Sequence, residues 1–308
     1  MGATQCAKNI ALAFAAMAMA SVAASAQGQG PQPVKVMPVK DNVYWTQGGI
    51  GSNTGIIVGT DGVILFDPKG SPDSAKEVLA EVAKITNLPV TTVIISHSNP
   101  DHTKGLPGYP PGTTIIAQQN AARDIEALTF YMTWTGMGGD RAGSDKPYLP
   151  TQTVDTRADL KINGVNLELM HWAPAHTNGD LVLYLPDQKV AFTGDLIGPN
   201  VHLENNGSTE GMIESIRGLV ALDCDSYVRG HAPIGTKADM QKVLDDMVAK
   251  RTKVIGLYET GVPLDEAEKT MGEKVVPRVA ATMPGLKPFR AGRDMNYTEM
   301  VYDEMGRR

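Results

Sequence analysis

Cysteine is almost missing from this chain: its 308 residues include only two, Cys6 and Cys224. Cys6 lies ahead of the apolar run IALAFAAMAMASVAA, whereas a lipid-bearing signal cysteine follows such a run. Cys224 then stands alone, so no intrachain disulfide forms and the fold owes nothing to an oxidising compartment. In ALDCDSYV it reads as a small buried hydrophobe leading into a strand. Clusters of Lys and Arg are missing as well. A net charge of −6 without any basic run argues against nucleic acid or an anionic membrane surface as partner. Past the N-terminus, no stretch is long and apolar enough to span a bilayer. With 42% apolar and 20% charged residues, the rest is ordinary globular chain, long enough for one large domain or two small ones.

The N-terminus has the plan of a secretory signal. Lys8 is the one charge ahead of the apolar run, and the small residues of ASAQ follow it, which predicts a cut after Ala26. Residues 1–26 are then a signal peptide, and the expected location is periplasmic or secreted. An uncleaved N-terminal anchor is the alternative. QGQGPQP, residues 27–33, reads as a disordered leader, and 34–308 as a single domain.

That domain uses one pattern twice. GIIVGTDGVILFDPKG predicts strand, turn at Asp61 and Gly62, and a second strand ending at Asp67. A helix over SPDSAKEVLAEVAKI follows, with Ser71 as N-cap and Pro72 at its first position. VTTVIISH is then a buried β-branched strand ending at His97. The second half repeats this: DLVLYLPDQKVAFTGD ends at Asp195, STEGMIESIRGLVAL is a helix capped by Ser208 or Thr209, and SYVRGH ends at His231. Each half thus brings an Asp and a His to strand ends, where loops carry chemistry. Residues 120–150 interrupt the pattern as an insertion, a helix running into an aromatic, Met- and Gly-rich loop. It is either a lid over a substrate, with 131–139 closing and Tyr131 and Trp134 touching the substrate, or a plain connection. Residues 235–308 are expected to be mainly helical.

Zinc in a hydrolytic site takes nitrogen and carboxylate ligands and keeps one position open. Of six histidines, four stand at strand ends beside carboxylates: His97 and His102 with Asp101, His176, and His231, with Asp195 in FTGDL. In this order and at these separations, SHSNPDH, HTNGD, TGDL and GHAPIG resemble the metallo-β-lactamase-fold hydrolases, over nearly the whole chain from Val34 onward. The resemblance implies an α/β fold, an αββα four-layer sandwich of two similar halves with metal at one edge. It implies a first metal site at His97, His176 and the position of Asn99, and a second at Asp101, His102 and His231. Asp195 bridges the two or binds the second alone.

The family carries His where Asn99 stands. A carboxamide oxygen is a weak zinc ligand beside imidazole, so one tightly bound Zn2+ is expected, with the other site weakened. The implied reaction is hydrolysis of a small-molecule substrate: Asp101 orients a metal-bound hydroxide, which attacks a carbonyl. Asn99 either holds the attacking water or donates to the developing oxyanion. A β-lactam is one candidate substrate, although Asp195 stands where the reference β-lactamases carry Cys. A lactone, ester or thioester is the alternative, and a non-catalytic binding protein is the reading in which Asn99 has ended catalysis. Asp67 is expected to support a ligand histidine or cap a turn. Thr177 is expected to brace His176, and His202 to contact substrate or face solvent. His171 is expected to be structural.

Overall fold

Alternation within single strands decides the layering. In β4 (Val63–Phe66) all four side chains are buried, with Val63 and Leu65 in one apolar cluster and Ile64 and Phe66 in another. In β10 (Val182–Leu185) Val182 and Tyr184 likewise part from Leu183 and Leu185. A strand buried on both faces lies in a sheet covered on both sides. The computed structural model describes residues 32–135, 148–198, 203, 206–275 and 296–306, with the backbone alone for 128–135. The expected signal segment, most of the leader, His202, the side chains of Tyr131 and Trp134, and residues 136–139 fall outside the described residues.

Seven strands make the first sheet in sequence order: β1 (Lys35–Lys40), β2 (Val43–Gln47), β3 (Gly55–Val58), β4, β5 (Val90–Ile94), β6 (Thr114–Gln118) and β7 (Gln152–Val154). The second sheet runs β12 (Ser226–Val228), β11 (Val190–Phe192), β10, β9 (Val165–Met170), β8 (Arg157–Ile162). Ile64, Phe66 and Ile94 of the first sheet share one cluster with Leu167, Leu183 and Phe192 of the second, the seam between the sheets. Outside the first sheet lies α1 (Pro72–Val82), whose Ala75, Val78 and Val82 share one face. Near it, α2 (Gln119–Thr135) adds Ala121 and Ile125. Outside the second sheet lie α3 (Thr209–Ala221), α4 (Lys237–Glu259) and α6 (Tyr297–Gly306), while α5 (Leu264–Thr270) touches α4 and α6. The result is an αββα sandwich.

The sequence repeat is a structural one. An antiparallel pair, a helix and a parallel strand recur as β3-β4-α1-β5 and β10-β11-α3-β12. Ser71 accepts from Ser74 N–H at the start of α1, and Ser208, rather than Thr209, from Gly211 N–H at the start of α3. The strands are shorter than the sequence suggests. β5 stops at Ile94 and β12 at Val228, so His97 and His231 stand on the loops beyond them. His171 Nδ1 meets the Asp180 carbonyl at 2.7 Å, which ties down the loop holding His176. Among the described residues, no helix is long and apolar enough to cross a membrane.

Candidate metal centre

Loops from both sheets bring the predicted residues to one edge. His97 follows β5, Asp101 and His102 lie in the short 3-10 turn Pro100–His102, and Asp195 lies in the turn Gly194–Leu196 after β11. His231 follows β12, and its Nε2 stands 3.2 Å from His102 Nε2, 2.9 Å from Asp101 Oδ2 and 3.4 Å from Asp195 Oδ2. His102 Nε2 is also 3.4 Å from Asp195 Oδ1. Two groups of donor atoms lie close enough to hold a cation, His97/His102/Asp195 and Asp101/His102/His231, with His102 in both. Gly230 makes room for this: a Cβ there would stand 2.1 Å from Asp195 Oδ1.

Hydrogen bonding fixes how the buried rings face. Asp67 accepts from Ser96 N at 2.7 Å, from Ser96 Oγ at 2.8 Å and from His102 Nδ1 at 2.7 Å. A carboxylate only accepts, so His102 carries a proton on Nδ1. Ser96 spends its single hydrogen on Asp67 and therefore accepts from His97 Nδ1 at 2.9 Å. His97 Nε2 is left with its lone pair, buried, and with no hydrogen-bond partner among the described residues; Asp195 Oδ1 is in the same condition. Buried polar atoms are rarely left so. An imidazole lone pair and a carboxylate oxygen, both orphaned beside His102, fit a bound cation.

Charge agrees with that fit. Burial pushes His97 well below its ordinary pKa, and neighbouring His102 adds to this, so the ring is neutral. Burial opposes ionisation of Asp195, yet His102 and then His97 hold its carboxyl well below the usual range. Burial also opposes a proton on His102, but Asp67 and Asp195 outweigh it and raise its pKa well above the ordinary value. A cation at this point takes the place of that proton.

Asp101, His102 and His231 come together as the motifs imply, and His97 lies within reach of His102 and Asp195. The His97 ring also meets that of His176 edge-on, centroids 4.8 Å apart, and Asn99 Nδ2 donates to His176 Nε2 at 3.2 Å. Thr177 donates its N–H and hydroxyl to Asp180, which closes the turn that carries His176. Ser96 was invisible to sequence reasoning, because a serine at a strand end gives no signal until its partners are known.

Lys69 was missed for the opposite reason. It looks like a surface lysine, yet it is fully buried with a φ of +73°, and its Nζ donates to Gly48 O and Ser52 O. Burial lowers its pKa from 10.5 to about 8, against the pull of Asp67. The unfolded chain therefore holds this proton to higher pH than the fold does, so the stability contribution of Lys69 rises with pH between those values. From about pH 8 to pH 10 the rise is roughly 2 kcal/mol. Urea unfolding across that range should show it as the difference between the natural chain and Lys69→Met; parallel pH profiles would refute it.

A family model of the metallo-beta-lactamase superfamily matches residues 48–231. The chain belongs to that superfamily, whose members are largely metal-dependent hydrolases. The 2,4-dinitroanisole O-demethylase subunit alpha of Nocardioides sp. (strain JS1661) is 29% identical over 199 residues, covering 63% of this chain and 56% of that one. The linear primary-alkylsulfatase of Pseudomonas sp. (strain ATCC 19151) is 23% identical over 277 residues, 76% of this chain and 52% of that one. The chain spans about half the length of these two curated relatives. A stereoselective inverting sec-alkylsulfatase from Pseudomonas sp. shares the fold at a TM-score of 0.65 and 17% identity, over 82% of this chain and 46% of that one.

Proposed function

We propose that this protein is an exported, metal-dependent hydrolase that cleaves an ester- or ether-type C–O bond of a small molecule. The observation that carries the reading is the asymmetry of the donor cluster. His97 and His102 are buried and the Asp195 side chain is only 10% exposed, while those of Asp101 and His231 are 38% and 36% exposed. A structural metal site is closed; a catalytic one keeps a face for substrate. Asp101, His102 and His231, or His97, His102 and Asp195, would hold a Zn2+ or a similar cation through three donors, which leaves a position open. Such a cation supplies Lewis-acid polarisation of the substrate and a water acidified toward neutrality.

The chain's own groups do the rest. Burial works against a charge on Asp101, but the His231 hydrogen bond and the nearby His102 outweigh it and keep the carboxyl below its ordinary range. Asp101 is thus a fixed acceptor on the open side, placed to orient the attacking water. His231 is held against it, and Asp67 and Ser96 keep the buried rings aimed inward. Asn99 spends one N–H on His176, so it serves the floor of the site before it serves an oxyanion.

The names of two curated relatives, a 2,4-dinitroanisole O-demethylase subunit and a linear primary-alkylsulfatase, support a C–O bond, while others are named metallo-beta-lactamases, so the lactam stays in the test. The test is a substrate panel on the metal-loaded chain: a p-nitrophenyl ester, a lactone, 2,4-dinitroanisole, an alkyl sulfate and a chromogenic β-lactam. Turnover of a C–O substrate that stops on chelation is expected. Turnover of the β-lactam alone moves the reading to a β-lactamase, and no turnover of any kind overturns it. Export rests on the N-terminal apolar run, and sequencing the mature protein is expected to begin at Gln27.

A further inference from the structure

Asn53 takes no part in the donor cluster, yet its loop touches both of the cluster's open members from behind. Loop 48–54 joins β2 to β3. Ser52 N–H donates to the Asp101 carbonyl at 3.1 Å. Asn53 then donates its backbone N–H to Gly230 O at 2.7 Å, and its side-chain Nδ2 to Arg229 O at 2.9 Å and Ala232 O at 3.2 Å. Those carbonyls belong to the residues on either side of His231. A primary amide offers two hydrogens in one plane, enough to hold two carbonyls of a single turn.

The loop is itself anchored. Lys69 Nζ holds Gly48 O and Ser52 O, and Gly70 N–H holds Ile50 O. Gly51, at φ +96°, lies so close to the 3-10 turn that a Cβ would stand 2.4 Å from Asp101 O. Asp101 comes from the first sheet and His231 from the second, and their side chains meet at 2.9 Å. One short segment thus grips the backbone of both.

We propose that Asn53 is a positioning residue, which sets loop 229–233 so that His231 Nε2 meets Asp101 in the donor cluster. This rests on the metal-centre reading above. A contact that is only structural changes unfolding when it is cut; a positioning contact also changes how a cation is held.

The test is a cobalt(II) titration of the full-length chain and of Asn53→Ala, followed by calorimetry and by the visible absorption of the bound ion. Loss of outer partners typically weakens a metal site about 10–100-fold, and a loss in that range with a shifted absorption band is expected here. Asn53→Asp keeps the size but turns a carboxylate oxygen, an acceptor, toward two carbonyl oxygens, so it should lose as much, and it carries the test if the alanine variant does not fold. Asn163→Ala is the control. It cuts a hydrogen bond from the turn between β8 and β9 to the start of β5, away from the site, where Asn163 Nδ2 donates to Thr91 Oγ1 at 2.7 Å. Its cobalt affinity and spectrum should match the natural chain. Natural affinity and spectrum in both Asn53 variants, or an equal loss in Asn163→Ala, overturns the inference alone. No cobalt bound by the natural chain overturns the metal-centre reading and the inference with it.

Discussion

Replacing Asp67 by asparagine is expected to weaken metal binding by about 100-fold and to cost roughly 3 kcal/mol of stability. The carboxylate is buried and accepts three hydrogen bonds, from Ser96 N, Ser96 Oγ and His102 Nδ1. Asparagine has the same shape and tolerates the φ of +62° found there. It keeps one acceptor oxygen, however, and turns the other into a donor. At least one of the three donors then faces another donor in a buried space. The damage spreads to both histidines. Without Asp67 the His102 proton has no fixed place on Nδ1, and its Nε2 loses the lone pair that faces Asp195 and His231. Ser96 Oγ is freed to turn, and His97 loses the acceptor that keeps its own Nε2 bare. Zinc titration and urea unfolding of Asp67→Asn measure the two effects separately. Natural metal affinity in a folded Asp67→Asn would show that the ring orientations are set by packing alone.

How much of this was legible in the sequence depends on how local each cause is. The doubled strand-helix-strand pattern was legible because burial on both faces of β4 and β10 writes itself as unbroken apolar runs. Ser71 was legible because a cap acts within three residues. The convergence of His97, His102, Asp195 and His231 was legible through a resemblance of motifs, and nothing in their spacing alone requires it. Asp67 and Asp195 occupy equivalent places in the repeat, yet Asp195 enters the donor cluster directly while Asp67 reaches it through hydrogen bonds. Sequence symmetry could not separate those roles. Lys69, Ser96 and Asn53 were illegible because each acts through contacts made only when the loops fold together. The inward turn of Lys69, at positive φ, has no composition signal at all.

Asn99→His is expected to raise the bound metal from about one equivalent to about two. The sequence argument was that a carboxamide is a poor ligand. The structure adds a stronger one. Asn99 Nδ2 has no lone pair to accept with, so the contact at 3.2 Å runs from its N–H to His176 Nε2. The amide therefore occupies the nitrogen that His176 has to offer a cation, besides failing to supply one itself. Asn99 and His176 are both buried, so this bond is shielded from water and is not given up cheaply. A histidine at position 99 removes the blocking donor and adds an imidazole in one step, and the His97 ring packs edge-on against that of His176, centroids 4.8 Å apart. The change should be seen as a second, weaker phase in zinc titration and as doubled zinc by elemental analysis after dialysis. Asn99→Ala separates the two effects: it frees His176 without adding a ligand, and should stay at about one equivalent. Two equivalents in the natural chain would mean that the Asn99–His176 bond yields to metal, and that this centre is a two-metal site with an amide in its wall.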